Sequence, residues 1–464
     1  MIVIRSSHDC YFERMSRGWK HEALIFGALL CFGVCLVSSP AGAEDLLFHY
    51  KLARDADPKL RGAEANRNAI RERLSQAQAG FFPNIATSAA RNRNEQKVVT
   101  DSFVFSQPPG KAAYSSSEYR LNLSQPVFNA ALSAGWRVAD AEAVKAEAEY
   151  GATQQELMLR VAQAYFEVLL AQETLALVQA EKETLTHQLD SAHGRLKAGL
   201  APITEVHDTE ARFQTVVAQE IDAQNQIEDK REALHEISGE MPGTLATLRD
   251  TTLLVRPDPP DIQQWTDTAL NQNLSLQAAK AAAESARQAV AQNRAAHYPT
   301  VSLVGSRTRT DADASIPGPG VRSDESVIGL QLNIPLFQGG LVNARVKEAA
   351  YRYEASQQDF EAKRRAMARA TRAAFQDTLG TAAKIEALQQ TVVAARSSLT
   401  AKTEGYAVGV YKAVDVLDAT RDLYRAQRDL AEARHHYALN TLQLKFYAGT
   451  LVDDDMLAIN SWLR

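Results

Sequence analysis

Proline is absent from three long stretches of this 464-residue chain: between Pro126 and Pro202, between Pro202 and Pro242, and from Pro335 to the last residue. A proline ring removes an amide proton and clashes with the preceding turn, so such gaps leave room for helices of unusual length. The same stretches are rich in Ala, Gln, Glu, Leu and Arg, which are good helix formers. A helix from about Ala131 to Lys197 would extend roughly 100 Å, far more than a globular domain needs, and that length predicts a coiled coil. Heptad spacing supports it. Val178, Leu185 and Ala192 interleave with Leu175, Leu189 and Leu196, although Lys182 interrupts one series, and Leu388, Val392, Ala395, Leu399 and Tyr406 follow in the second half.

The chain is duplicated. Residues 76–128 and 291–337 share one plan: an Ala/Gln-rich helix, an aromatic-proline step (Phe82-Pro83, Tyr298-Pro299), a polar segment and an alternating strand that ends at Pro126 or Pro335. Gly199, Glu205 and Asp208 return as Gly409, Asp415 and Asp418. The alternation is clearest where Ile328, Leu330, Leu332, Ile334 and Leu336 face one way and Gly329, Gln331 and Asn333 the other. Strands are expected at about 83–93, 118–127, 299–309 and 326–336. Each is near the 9 to 11 residues that cross a bilayer when tilted, with one face for lipid and one for a lumen. The segments 92–118 and 308–324, rich in Ser, Gly, Pro and charge, are expected as exposed loops. Four strands cannot close a barrel, and an open edge in lipid leaves unpaired backbone groups, so spanning strands would force oligomerisation.

Residues 1–43 have the basic, apolar and small-residue layout of a secretory signal, with Arg17 and Lys20, the apolar run 23–37 and an Ala41-Gly42-Ala43 cleavage site. Met15 begins a signal of ordinary length, so residues 1–14 read as an over-extended start. All three cysteines (Cys10, Cys31, Cys35) lie in this segment, which excludes disulfide chemistry after it. A net charge of −5 gives no support to nucleic-acid binding. No apolar run after Glu44 approaches the length of a transmembrane helix, so a membrane crossing would be made by strands.

The whole chain from Glu44 onward resembles the TolC family. The resemblance rests on Glu404-Gly405-Tyr406-Ala407-Val408-Gly409 with Val414-Asp415-Val416-Leu417-Asp418-Ala419-Thr420, on Leu423-Tyr424, Ala433-Arg434 and Tyr437, on Ala448-Gly449-Thr450-Leu451, and on the turn Ile334-Pro335-Leu336-Phe337-Gln338-Gly339-Gly340. It implies a membrane β-barrel continued by a long α-helical coiled-coil barrel. The family's form is a homotrimer with a twelve-stranded barrel and a twelve-helix tunnel. Repeats would cover 44–240 (hairpin about 129–239) and 265–464 (hairpin about 338–447), around an equatorial linker at 241–264, with Pro126, Pro335, Gly339 and Gly340 at the turns between barrel and helix. The implied role is passive export through the outer membrane, of proteins by type I secretion or of small molecules by drug efflux. The implied partners are a periplasmic adaptor, an inner-membrane ABC or proton-driven transporter and outer-membrane lipid, with no cofactor. By the same resemblance Asp415 and Asp418 form the periplasmic gate, an acidic pair that also sits where a helix N-terminus favours carboxylates. Tyr406 is the latch tyrosine, with Glu205 as partner and Thr204 beside it. Tyr411 stands where the family has a latch arginine, which implies a weaker latch, or one assisted by Lys412. Gly199, Leu200, Gly409, Val410 and Lys412 at the hairpin tips are the expected adaptor contacts.

Two other classes fit parts of the pattern. A periplasmic adaptor also carries a signal and helical hairpins, but needs compact β domains around one hairpin. Glu232/His235 and Glu432/His435 have the Glu-x-x-His spacing of di-metal helical bundles. They miss the repeat offset, and His435 lies between Arg434 and His436, as on a solvated face.

Overall fold

The computed structural model describes residues 43–98, 110–249, 256–315 and 318–464. All of the signal segment but Ala43 lies outside the described residues. The first half runs α1 (Leu46–Ala56), α2 (Pro58–Ala79), β1 (Asn84–Val98), β2 (Gly110–Phe128), α3 (Ala130–Lys197) and α4 (Ile203–Ser238). The second repeats it with α5 (Ile262–Gln272), α6 (Leu274–Arg294), β3 (Thr300–Ser315), β4 (Gly318–Asn333), α7 (Leu341–Ala407) and α8 (Ala413–Ala448), and α9 (Asp453–Asn460) follows. The duplication therefore reaches further than the strands and hairpins. The side chains of Asp45 and Asp261 cap α1 and α5, and those of Asp57 and Asn273 cap α2 and α6.

The four strands form one antiparallel sheet in the order β1-β2-β3-β4. They are longer than expected. The segments 92–118 and 308–324, expected as loops, are mostly strand: β1 and β2 pair as far as Val98 with Gly110, and β3 and β4 as far as Ser315 with Gly318. Alternation marks a strand only where one face meets an apolar medium. Where both faces are wet, backbone pairing persists and the pattern disappears. The centre of the first expected loop, 99–109, lies outside the described residues. At the helical end, β2 carries Pro126 inside the sheet at a register shift between Pro126 and Phe128, since a residue without an amide proton is tolerated at a bulge. β4 instead stops at Asn333, so Ile334, Pro335 and Leu336 belong to the turn that Gly339 and Gly340 complete with positive φ.

The register places Ile85 opposite Leu123 and Thr87 opposite Leu121, and Leu303 opposite Leu330. One face is thus apolar, while Asn122, Ser124 and Gln331 point to the other. Exposed Phe82, Tyr298, Leu336 and Phe337 mark the helical end of this apolar band, as interfacial aromatics do.

α3 is 68 residues long and α7 67. Near its start α3 lies between α2 and α6, and near its end between α4 and α8. One window of α3 reaches a mean hydropathy of 1.2, enough for a membrane span, but half of it is buried within the protein. Its most buried run, Leu157, Val161, Tyr165, Phe166 and Val168, joins Leu46 of α1, Leu442 of α8, Met456 and Ile459 of α9 and Leu245 in the main apolar core. That core is an equatorial belt. Residues 241–249 are tied into it by backbone bridges from Leu245 to Glu44 and from Leu248 to Leu463, and α5 takes up the last three residues expected as linker.

Gly449 ends α8 with φ 76° and sits on the α5–α6 junction, where an added Cβ would lie 2.6 Å from Asn273 Cα. Gly449→Ala is therefore expected to cost about 2 kcal/mol or more, through both backbone strain and overlap. Gly194→Ala, on an open helix surface, is expected to be neutral or to gain up to about 1 kcal/mol. Thermal loss of the helical circular-dichroism signal measures both, and equal melting of the Gly449 variant and wild type would contradict the packing described.

Candidate functional site

The two hairpin tips are built alike. α3 and α7 each end in a Schellman turn: Leu200 N–H donates to Arg195 O (2.8 Å) and Gly199 N–H to Leu196 O (3.0 Å), while Val410 N–H donates to Gly405 O (2.8 Å) and Gly409 N–H to Tyr406 O (3.1 Å). Gly199 and Gly409 hold the left-handed conformation that this turn requires, at φ 72° and 82°. The turns leave Leu200, Val408 and Val410 each more than 70% exposed, so the tips are apolar knobs.

The next helices start differently. Asp415 Oδ2 accepts the N–H of Lys412 (2.9 Å) and caps α8. Glu205 is the repeat equivalent of Asp415, but the residue before α4 is Pro202, which has no N–H to offer. Its carboxylate turns to the second hairpin and accepts the phenol of Tyr406. Arg195 completes the cluster: its guanidinium lies 4.5 Å above the Tyr406 ring and its Nε 3.9 Å from Glu205 Oε1. The cation beside Tyr406 thus comes from α3, a residue that the sequence reading missed. Lys412 makes no ion pair among the described residues. Tyr411 packs its ring on Gly405, where an added Cβ would lie 2.5 Å from Tyr411 Cδ2. Thr204 is exposed and stands outside the cluster. Burial first, and then the Glu205 hydrogen bond and charge, push the Tyr406 phenol up to about 12, against the opposing charge of Arg195.

Asp418 lies one turn beyond Asp415 and is held from two sides, by Arg212 of α4 at 2.8 Å and by Arg421 at 3.3 Å. Arg212 was also missed, although it lies seven residues after Glu205 and so on the same face of α4. A cleft of 460 Å³ between the hairpins is lined by Gln188, Arg195, Glu205, Tyr406, Val416 and Leu417 among others. Above it, α3 meets α8 through Thr184 and Tyr424 (2.8 Å), Glu181 and Arg428 (3.1 Å), and Glu173 and His435 (3.0 Å). Burial pushes the Glu181 carboxyl up, and the charge of Arg428 counters it.

The two Glu-x-x-His pairs do not form one site. His235 meets its own Glu232 at 3.3 Å, whereas His435 turns to Glu173, and Glu432 meets His436 at 3.6 Å. Among the described residues no group of His, Cys, Asp or Glu is placed to hold a metal ion.

An amphipathic antiparallel sheet, continued by paired helices of about 100 Å whose tip carries Asp415, Asp418 and the hydrogen bond from Tyr406 to Glu205, defines the class of outer-membrane channel-tunnels. The profile of the outer membrane efflux protein family matches residues 49–240 and 265–450, and the chain belongs to that family. Outer membrane protein TolC of Vibrio cholerae serotype O1 is 34% identical over 430 residues, 92% of this chain and 96% of that protein. The proteases secretion protein PrtF of Dickeya chrysanthemi is 30% identical, over 94% of this chain and 95% of its own. The Campylobacter jejuni CmeC outer membrane channel superposes with a TM-score of 0.78 at 16% identity, over 91% of this chain and 90% of that one, which is a likeness of fold.

The raised pKa of Tyr406 sets the sign of a pH effect. The folded protein favours the neutral phenol, so the stability it contributes is complete below the unfolded value of about 10 and is lost as pH rises through about 12. The difference in melting temperature between wild type and Tyr406→Phe is therefore expected to be constant at pH 7–9 and to vanish between pH 10 and 12. A difference that persists at pH 12 would exclude the hydrogen bond as its source.

Proposed function

We propose that three copies of this chain close a twelve-stranded barrel in the outer membrane and a helical tunnel in the periplasm. Through it, proteins or small molecules delivered by an inner-membrane transporter and a periplasmic adaptor leave the cell. The observation that carries this is the four-stranded sheet, amphipathic and of membrane-spanning length, in which β1 and β4 each pair on one side only. In hydrocarbon such edges must be closed by further copies. The family likeness supports the same reading, and a relative named for protease secretion supports protein cargo as one use. Conduction is passive, with no catalytic step.

The proposed gate is the tip. Threefold symmetry gathers Asp415 and Asp418 of each copy around one axis and gives the tunnel end a field that favours cations. Arg212 offsets part of that field by holding Asp418. Tyr406, Glu205 and Arg195 clamp the two hairpins together beside it. The exposed tips, with Gly199, Leu200, Gly409, Val410 and Lys412, are the proposed adaptor contacts.

Single-channel recording in a planar bilayer tests both levels. Wild type is expected to show a small, cation-selective conductance blocked by a trivalent cation from the periplasmic side. Asp415→Ala with Asp418→Ala should abolish the block, and Arg212→Gln should tighten it by roughly threefold to tenfold by freeing a carboxylate. A block unchanged in the double variant would discard the gate and keep the channel. The absence of any channel would discard both.

A further inference from the structure

The face of the sheet that bears the apolar band also carries a charge pattern that conduction does not use. Nine residues after the aromatic-proline step of each half, counting from Phe82 and from Tyr298, stands the same motif: Arg91-Asn92-Arg93 and Arg307-Thr308-Arg309. Both lie within strands, β1 and β3. Side chains alternate along a strand, so Arg91 and Arg93 share the face of Ile85 and Ala89, and Arg307 and Arg309 share that of Leu303. The register agrees, with Ala89 opposite Tyr119, Tyr119 opposite Arg309 and Leu121 opposite Arg307. The four arginines thus continue the lipid side of the sheet. All are exposed, and none makes an ion pair among the described residues. Nearby Asp311 is taken by Arg322 at 2.8 Å, and Asp324, across from Arg309, does not pair with it.

Their depth follows from the geometry. Nine residues of a strand inclined by about 40° rise about 23 Å, close to the apolar band of about 25 Å in outer-membrane barrels. Phe82 and Tyr298 lie at the helical, periplasmic end of that band, so the arginines lie at its opposite end, among the headgroups of the outer leaflet. A guanidinium is strongly unfavourable at mid-membrane and tolerated there. Two guanidiniums on one strand face, two residues apart, offer adjacent donor forks that fit phosphate oxygens in bidentate pairs.

Resting on the outer-membrane channel reading, we propose that Arg91, Arg93, Arg307 and Arg309 form an outward surface that binds the phosphorylated headgroups of outer-leaflet lipid, so that a trimer wears a collar of tightly held lipid.

The test uses the full-length protein from outer membranes, placed in phosphatidylcholine nanodiscs. Bisphosphorylated lipid A, dephosphorylated lipid A or inorganic phosphate is added, and retained lipid and melting temperature are read. Bisphosphorylated lipid A is expected to be retained and to raise the melting temperature, with neither other addition doing so. Replacing all four arginines by Gln should weaken retention about tenfold or more, with conductance unchanged. Equal retention of dephosphorylated lipid A by wild type would overturn the proposal even if the variant failed to fold. So would a variant that binds as wild type does, or an inorganic phosphate effect equal to that of the lipid. Conductance of the wild type in phosphatidylcholine reports on the channel reading separately: channels without lipid preference defeat only the collar, and no channels defeat the reading beneath it.

Discussion

Backbone hydrogen bonding in a medium without water governs this molecule. Every unpaired amide or carbonyl costs several kcal/mol in hydrocarbon, and the sheet of one chain ends in two strands paired on one side only. The helical layer has matching open ends. α2 buries only Leu60 along its 22 residues, and the first half of α7 buries little beyond Val342 and Ala349. Strand edge and helix edge are left open together, as they would be if, in the proposed assembly, each copy supplied one arc of a single continuous wall. In that assembly, closure of the sheet and closure of the helical layer are one event.

Below the sheet, stability is distributed unevenly. The equatorial belt is large and apolar, with Tyr165 fully buried and donating to Ala246 O (2.8 Å), and it anchors both halves. Toward the tip the apolar clusters shrink to Val178, Leu185, Val216 and Leu417, and contact between the hairpins passes to ion pairs and hydroxyl bonds. Half-exposed pairs such as Arg212 with Asp418 contribute on the order of 0.2–1 kcal/mol each, so no single one locks the seam. Two long hairpins fixed at the equator and joined by several weak bonds at the far end can part there without unfolding, which the proposed gate requires.

How much of this could be read in the chain depended on which physical signal each part leaves in one dimension. The long helices were legible from missing proline, and the inner strand halves from alternation beside Leu121 and Leu330. The outer strand halves were not, because both faces meet water and nothing enforces a period. The short helices α1 and α5 were overlooked although their caps repeat at one separation, Asp45 with Asp261 and Asp57 with Asn273. Tyr406 and Glu205 were reached through family resemblance. Arg195 stacks on Tyr406 and Arg212 pairs with Asp418, each some two hundred residues away, and only the heptad step from Glu205 to Arg212 left a trace.

The tip also shows how a duplicated fold acquires unequal halves. Glu205 and Asp415 occupy the same position in two copies of one turn, and each has its backbone N–H bonded to the residue before the helix, Pro202 O at 3.1 Å and Lys412 O at 3.0 Å. The difference between them begins one turn earlier. Lys412 presents an amide proton, so Asp415 closes a local cap and stays on its own hairpin. Pro202 presents none, so the carboxylate of Glu205 has no local donor and reaches across to Tyr406, taking Arg195 with it. One imino acid thereby turns a helix cap into a contact between hairpins. Among the described residues, that contact ties α7 to the first hairpin at the tip through a half-buried hydrogen bond, so the proposed latch is a consequence of where the duplicated sequence placed a proline.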